Sequence, residues 1–195
     1  GTVEEMTIRV RPEAPQVDGS GGGEGGDETE ISTVDLAALR TALTSDTDGR
    51  IINITAEGVF EVNANTPTRV TASQLTVRGN RQAWLFKDYA PQIDHEAENQ
   101  IWEDCQFGVG NDSAGRALSA RDSFSFEGGK QIVLQQSFLP YGVDECIGFF
   151  KEGGVQACRE IGVFDNIIGP PLWISGHPEG AHPMGCLLGD RTMNT

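Results

Sequence analysis

The sequence predicts an all-β chain: a parallel β-helix, or solenoid, with a short N-terminal capping helix. Three observations predict it. From Arg50 onward, short apolar runs alternate with polar turns, and no second helix of useful length interrupts them. Three of the runs align without gaps, Ile101–Phe107, Ile132–Phe138 and Ile161–Ile167. Their starts lie 31 and 29 residues apart (132 − 101 and 161 − 132), a length that holds the two or three short strands of one coil. Finally, Asp48-Gly49 follows the helix, and no Asn-Gly or Asp-Gly step joins two of the runs as a β-sandwich of hairpins would need. Stacked coils would place isoleucine on isoleucine at roughly 4.8 Å, each coil completing the core of the next.

Residues 1–16 contain Met6-Thr-Ile-Arg-Val-Arg11, apolar at every second position, which reads as a strand ended by Pro12 and Pro15. It is expected to be the tail of a preceding domain or a strand lying along the solenoid. Residues 17–30 are rich in glycine and acid and read as a flexible linker. Gly21, Gly23 and Gly26 satisfy a dinucleotide-binding spacing, but Glu24, Asp27, Glu28 and Glu30 would repel a pyrophosphate.

Residues 31–195 are assigned to the β-helix, incomplete at its C-terminal end. In 32–44, Ser32 or Thr33 is positioned to cap a helix, Asp35 falls in its first turn, and Leu36, Leu39 and Leu43 share a face. A helix there suits a lid over strand edges that would otherwise recruit other chains. At the other end a second chain or further residues are expected to cover the last coil.

Fourteen Lys and Arg against 29 Asp and Glu leave a net charge of −15. That argues against sequence-independent nucleic-acid binding and against adsorption to an anionic membrane. A polyanionic ligand would need a bridging cation or a local basic group. No apolar run approaches the ~18 residues of a membrane span. The chain begins Gly-Thr-Val-Glu-Glu, without the pattern of a secretory signal.

Cys105, Cys146, Cys158 and Cys186 lack metal-type spacing. Cys146 and Cys158 flank one loop and are the favoured disulfide pair. The plainer reading is that all four act as small buried apolar residues.

The runs Leu75–Gly79, Asn99–Ala120, Lys130–Glu145, Glu160–Gly169 and Gly176–Asp190 carry a resemblance. In their order and spacing they resemble the pectate lyase family of polysaccharide lyases. The best segments are Gly142-Val143-Asp144-Glu145 and His177 through Asp190. The resemblance spans roughly Ile31 to Asp190. It implies a right-handed parallel β-helix, secretion, and calcium-assisted β-elimination of galacturonate polymers. The chemistry removes a weakly acidic proton beside a carboxylate. It therefore needs converging Asp and Glu oxygens to hold calcium and positive charge to stabilise the transition state.

Residue by residue, Asp144 matches the first acid of the family turn and Glu145 is its neighbour, so both are candidate metal ligands. The family's second acid falls at Gly148, the aspartate of its Asp-His-Cys-Ser-Phe strand at Leu134, and its lysine at Met184. The arginine base is expected beyond Thr195. His177, His182, Arg191 and Trp173 are candidate substrate-binding residues. Arg191 would offer a bidentate fork to a uronate carboxylate, and Trp173 a stacking face. The plainer readings are loop hydrogen bonding for the histidines, a solvated turn for Arg191, and packing for Trp84, Trp102 and Trp173. Trp102, next to Ile101, is expected on the outside if Ile101 is inside. Three functions remain open: a lyase, a non-catalytic module that binds acidic glycan, and a structural solenoid.

Overall fold

The computed structural model describes residues 21–45, 47, 49–60, 68–81, 83–86, 90–109, 122–150, 158–171, 180 and 184–188. The chain opens with β1 (Asp27–Ile31) and α1 (Leu36–Thr44). Among the described residues five coils follow, each of three strands. The first holds β2 (Arg50–Ile54), β3 (Gly58–Phe60) and β4 (Arg69–Val70), and the second β5 (Leu75–Arg78), β6 (Ala83–Phe86) and β7 (Gln92–Ile93). The third holds β8 (Glu98–Glu103), β9 (Gln106–Val109) and β10 (Ser125–Phe126). The fourth holds β11 (Lys130–Gln135), β12 (Phe138–Leu139) and β13 (Glu145–Phe149), and the fifth β14 (Arg159–Phe164), β15 (Ile167–Ile168) and β16 (Met184–Leu188).

Equivalent strands of successive coils pair in parallel, giving three sheets: β1-β2-β5-β8-β11-β14, β3-β6-β9-β12-β15 and β4-β7-β10-β13-β16. This is a parallel β-helix. The first sheet carries two inward ladders. One runs Ile52–Val77–Trp102–Leu134–Val163 and the other Arg50–Leu75–Gln100–Ile132–Ile161. Ile132 does stack on Ile161, as expected. Ile101 does not join them, because Ile132 pairs with Gln100, and the step between these coils is 32 residues (132 − 100) rather than 31.

Gln100 is tolerated inside because its amide is used twice. Nε2 donates to Ala72 O, and Oε1 accepts from Trp102 Nε1 at 2.8 Å. Trp102 is therefore internal and fully buried, while Ile101 points out of the coil, half-buried. Trp102 packs edge-on to Phe107 and Phe124, with centroids 6.0 and 5.2 Å away.

The bends between sheets repeat from coil to coil. Gln74, Asn99, Gln131 and Glu160 enter the first sheet with positive φ, and Asp104, Gln136 and Asp165 leave it so. Beyond the exit bend a polar ladder ties the coils together. Cys105 N donates to Ser137 Oγ (3.0 Å), Ser137 N to Asn166 Oδ1 (2.8 Å), and Asn166 Nδ2 to Leu134 O (2.8 Å). Buried backbone groups at the turns are satisfied in this way. On the outer face, Arg78 Nε donates to Glu103 Oε1 (2.8 Å) and Gln135 Nε2 to Glu103 Oε2 (3.2 Å).

The helix caps the first coil: Leu39 and Leu43 are fully buried in the same core cluster as Ile31, Ile52 and Phe60. Its N-cap is Asp35, not Ser32 or Thr33. Asp35 Oδ1 accepts from Ala37 N (2.8 Å) and Ala38 N (3.1 Å), and an aspartate is as good a cap as a serine. Arg50, buried beneath the helix end, donates to the carbonyls of Ala42, Ser45 and Thr47.

Within the glycine-rich stretch, residues 21–31 lie against the coils. Gly22 N donates to Asn99 Oδ1 and Gly23 N to Thr76 Oγ1, both at 3.0 Å. A Cβ on Gly23 would lie 1.8 Å from Arg50 O, so glycine is what lets the segment lie flat there. Asp27–Ile31 then pairs with β2, and its exposed acids discourage further strand addition at that edge.

The four cysteines are free thiols, so the favoured Cys146–Cys158 bridge does not form. Cys105, Cys146 and Cys158 are buried, and Cys186 is exposed. Cys158 Sγ faces the carbonyls of Phe126, Gly128 and Phe150 instead of another sulfur.

Candidate metal centre

Three carboxylates meet where two coils enter the third sheet. Strand β10 lies beside β13, with Ser125 opposite Gly148 and Phe126 opposite Phe149. The same register carried back three residues sets Asp122 against Glu145. On the far side, Glu145 pairs with Met184. Asp144, in the turn before β13, accepts on its carbonyl from Met184 N at 2.9 Å.

Local sequence explains the turn. Gly142 presses its Cα against the Glu145 backbone, and a Cβ there would lie 2.0 Å from Glu145 O. Only glycine permits that approach, and it delivers Asp144 and Glu145 to the strand entrance. Phe124 and Phe126 point into the core, so Ser125 between them faces the other way. Its hydroxyl donates to Asp122 Oδ2 at 2.7 Å, and Asp122 Oδ1 accepts from Glu145 N at 3.3 Å. Gly148 leaves room for this carboxylate: a Cβ at 148 would meet Asp122 Oδ2 at 2.4 Å.

One carboxylate oxygen from each of Asp122, Asp144 and Glu145 lies within 4.8 Å of the other two. Two ligands on opposite sides of a calcium ion are about 5 Å apart, twice the usual 2.3–2.6 Å bond. The spacing therefore fits one cation shared among three oxygens. The donors are all carboxylate oxygens, which selects hard cations over zinc or copper. Glu145 is 1% exposed, and its Oε2 is buried with no hydrogen-bond partner. A buried acceptor left in that state is costly, and a bound cation would satisfy it.

The electrostatics agree. Burial, followed by the Asp122 hydrogen bond and the charges of Asp122 and Asp144, pushes the Glu145 carboxyl up to about 9. Burial also raises Asp122, against hydrogen bonds from Glu145 and Ser125 that favour its ionised form. In the cation-free protein, burial and the crowding of acids thus favour a shared proton on the Asp122–Glu145 pair.

Asp144 and Glu145, the metal ligands expected from sequence, are brought together. Their third partner, Asp122, escaped the sequence reading. A signal for it existed: Asp122-Ser-Phe-Ser-Phe126 laid over Glu145-Cys-Ile-Gly-Phe149 matches acid to acid and Phe to Phe across 23 residues (145 − 122). The expected substrate-binding residues His177, His182, Arg191 and Trp173 lie outside the described residues. Leu134, where the family strand has an aspartate, is fully buried in the core ladder. No protein-family model matches the chain, and comparison with curated proteins finds no relative.

Proposed function

We propose that this β-helix engages acidic polysaccharide of the galacturonan type through a calcium ion held by Asp122, Asp144 and Glu145. The observation that carries the reading is the convergence of three carboxylates from adjacent coils around the unpartnered Glu145 Oε2. With a net charge of −15, the chain needs a cation between its own acids and a polyanion. Three carboxylates supply part of the six to eight oxygens calcium takes, leaving positions for water and for uronate carboxylates. When bound, the ion would neutralise a uronate carboxylate and so acidify the adjacent carbon–hydrogen bond. Asp122, Asp144 and Glu145 would hold it, and Ser125 would orient Asp122.

The resemblance to pectate lyases extends this to β-elimination by a secreted enzyme. Asp122 favours that extension, since its carboxylate stands against Gly148, where the family's second acid falls. Met184 favours the alternative, a non-catalytic glycan-binding module. It pairs with Glu145 where the family's lysine falls, and a thioether brings no positive charge.

Calorimetric titration with calcium tests the common core. The reading expects one site per chain, lost in Asp122→Asn and in Glu145→Gln. The ultraviolet absorbance of unsaturated product from polygalacturonate with calcium then separates the two versions. A calcium-dependent signal abolished by Asp144→Ala supports the lyase. Retention on a pectin column without turnover supports the binding module. Absence of any calcium site rejects both.

A further inference from the structure

Tyr141 does not belong to the acid cluster, yet the structure holds it in a way that packing does not explain. Among the aromatic side chains whose burial the structure describes, it is the exposed one, 39% accessible, while the others are buried or half-buried. Its backbone is left-handed, with φ 64°. A bulky residue pays for that conformation, which persists only where the surroundings fix it.

Here they do. Tyr141 N donates to Pro170 O at 2.8 Å. On one side, the Pro140 carbonyl accepts from the buried Ser123 hydroxyl. On the other, Gly142 is wedged against Glu145. The same loop runs on to Asp144, three residues away, so the two Cα atoms lie within about 11 Å.

We propose that Tyr141 is an aromatic platform on which a sugar ring of the acidic polysaccharide stacks, next to the residue whose carboxylate the acid cluster engages. The proposal rests on the reading above. A pyranose ring offers a face of C–H groups that packs on a phenol ring, and the phenol hydroxyl remains available to a sugar hydroxyl. The anchored loop fixes the backbone that carries the ring before the ligand arrives, which lowers the ordering cost of binding.

The test is calorimetry of the full chain with oligogalacturonate in the presence of calcium, and with calcium alone. Tyr141→Leu and Tyr141→Gly are expected to weaken oligogalacturonate binding about tenfold. Tyr141→Trp is expected to retain it, and calcium affinity to be unchanged in all three. Glycine is at ease at positive φ, so Tyr141→Gly should unfold no earlier than the parent protein on heating. Stability kept and saccharide affinity lost is a result that a purely structural tyrosine would not give. Parent-like saccharide binding by Tyr141→Leu and Tyr141→Gly overturns the proposal and leaves the reading above intact. A parent chain that binds calcium but no oligogalacturonate overturns this proposal and the polysaccharide part of that reading. A chain that binds neither overturns both entirely.

Discussion

Two ladders in this molecule obey one register rule and behave in opposite ways. Ile52–Val77–Trp102–Leu134–Val163 stacks apolar side chains coil upon coil, and its first four members are fully buried. At the entrance to another sheet, Asp122 lies against Glu145, whose backbone it accepts from, and Glu145 pairs in turn with Met184, so two acids and a thioether line up. In the first ladder each coil supplies what its neighbour needs, so repetition is stabilising. In the second, repetition sets carboxylates against each other out of water, and the Glu145 carboxyl is driven up to about 9. A fold that is consistent nearly everywhere concentrates its conflict at one place, and such places are where ligands bind.

The contrast is broken or sharpened by substitution. The largest effect is expected from Trp102→Ala. It removes the indole from the core and leaves Gln100 Oε1 without its donor, for a loss of about 4 kcal/mol in urea unfolding. Its calcium affinity should stay at the parent value.

Next is Gly148→Ala, whose methyl would strike Asp122 Oδ2 and the Phe150 ring. A loss of about 2–3 kcal/mol is expected, together with weaker calcium binding, because Asp122 must move. If calcium binding were undisturbed, Asp122 would be no ligand.

Glu145→Gln is expected to act in the other direction, stabilising the cation-free protein at neutral pH by about 1–2 kcal/mol. The amide can donate to Asp122, and no proton has to be taken up on folding. The sign follows from proton linkage. Unfolded, Glu145 ionises near the ordinary 4.5; folded, it holds its proton up to about 9. The folded state therefore binds more protons between those values, and stability falls as pH rises through the window. Melting temperatures measured across it should decline in the parent protein and decline less in Glu145→Gln. A parent profile that rises instead would mean that Glu145 is ionised.

The smallest effect is Asp35→Ala, which removes the helix cap at a cost of about 1 kcal/mol and touches neither ladder. Thermal unfolding should show it, with calcium binding intact.

The solenoid itself was legible in the sequence because its signal is local and repeated: short apolar runs, polar turns, and a spacing near 30 residues. The pairing of Ile132 with Ile161 follows from that spacing. Ile101 misled because hydrophobicity alone cannot see Gln100, whose amide is satisfied by Ala72 and Trp102 across the coil. The docking of Gly22 and Gly23 was hidden for a related reason, since glycines that permit close approach look like glycines that permit freedom. Asp144 and Glu145 stood out as neighbours in a turn. Asp122 is their neighbour only through the register of β10 and β13, a property of the fold rather than of any single segment.

The account depends most on that meeting of acids. Crystals grown with calcium, measured at a wavelength sensitive to the ion, test it directly. The account predicts one anomalous peak among Asp122, Asp144 and Glu145, with carboxylate oxygens about 2.3–2.6 Å away. Featureless density there, with calcium bound elsewhere or not at all, would contradict it.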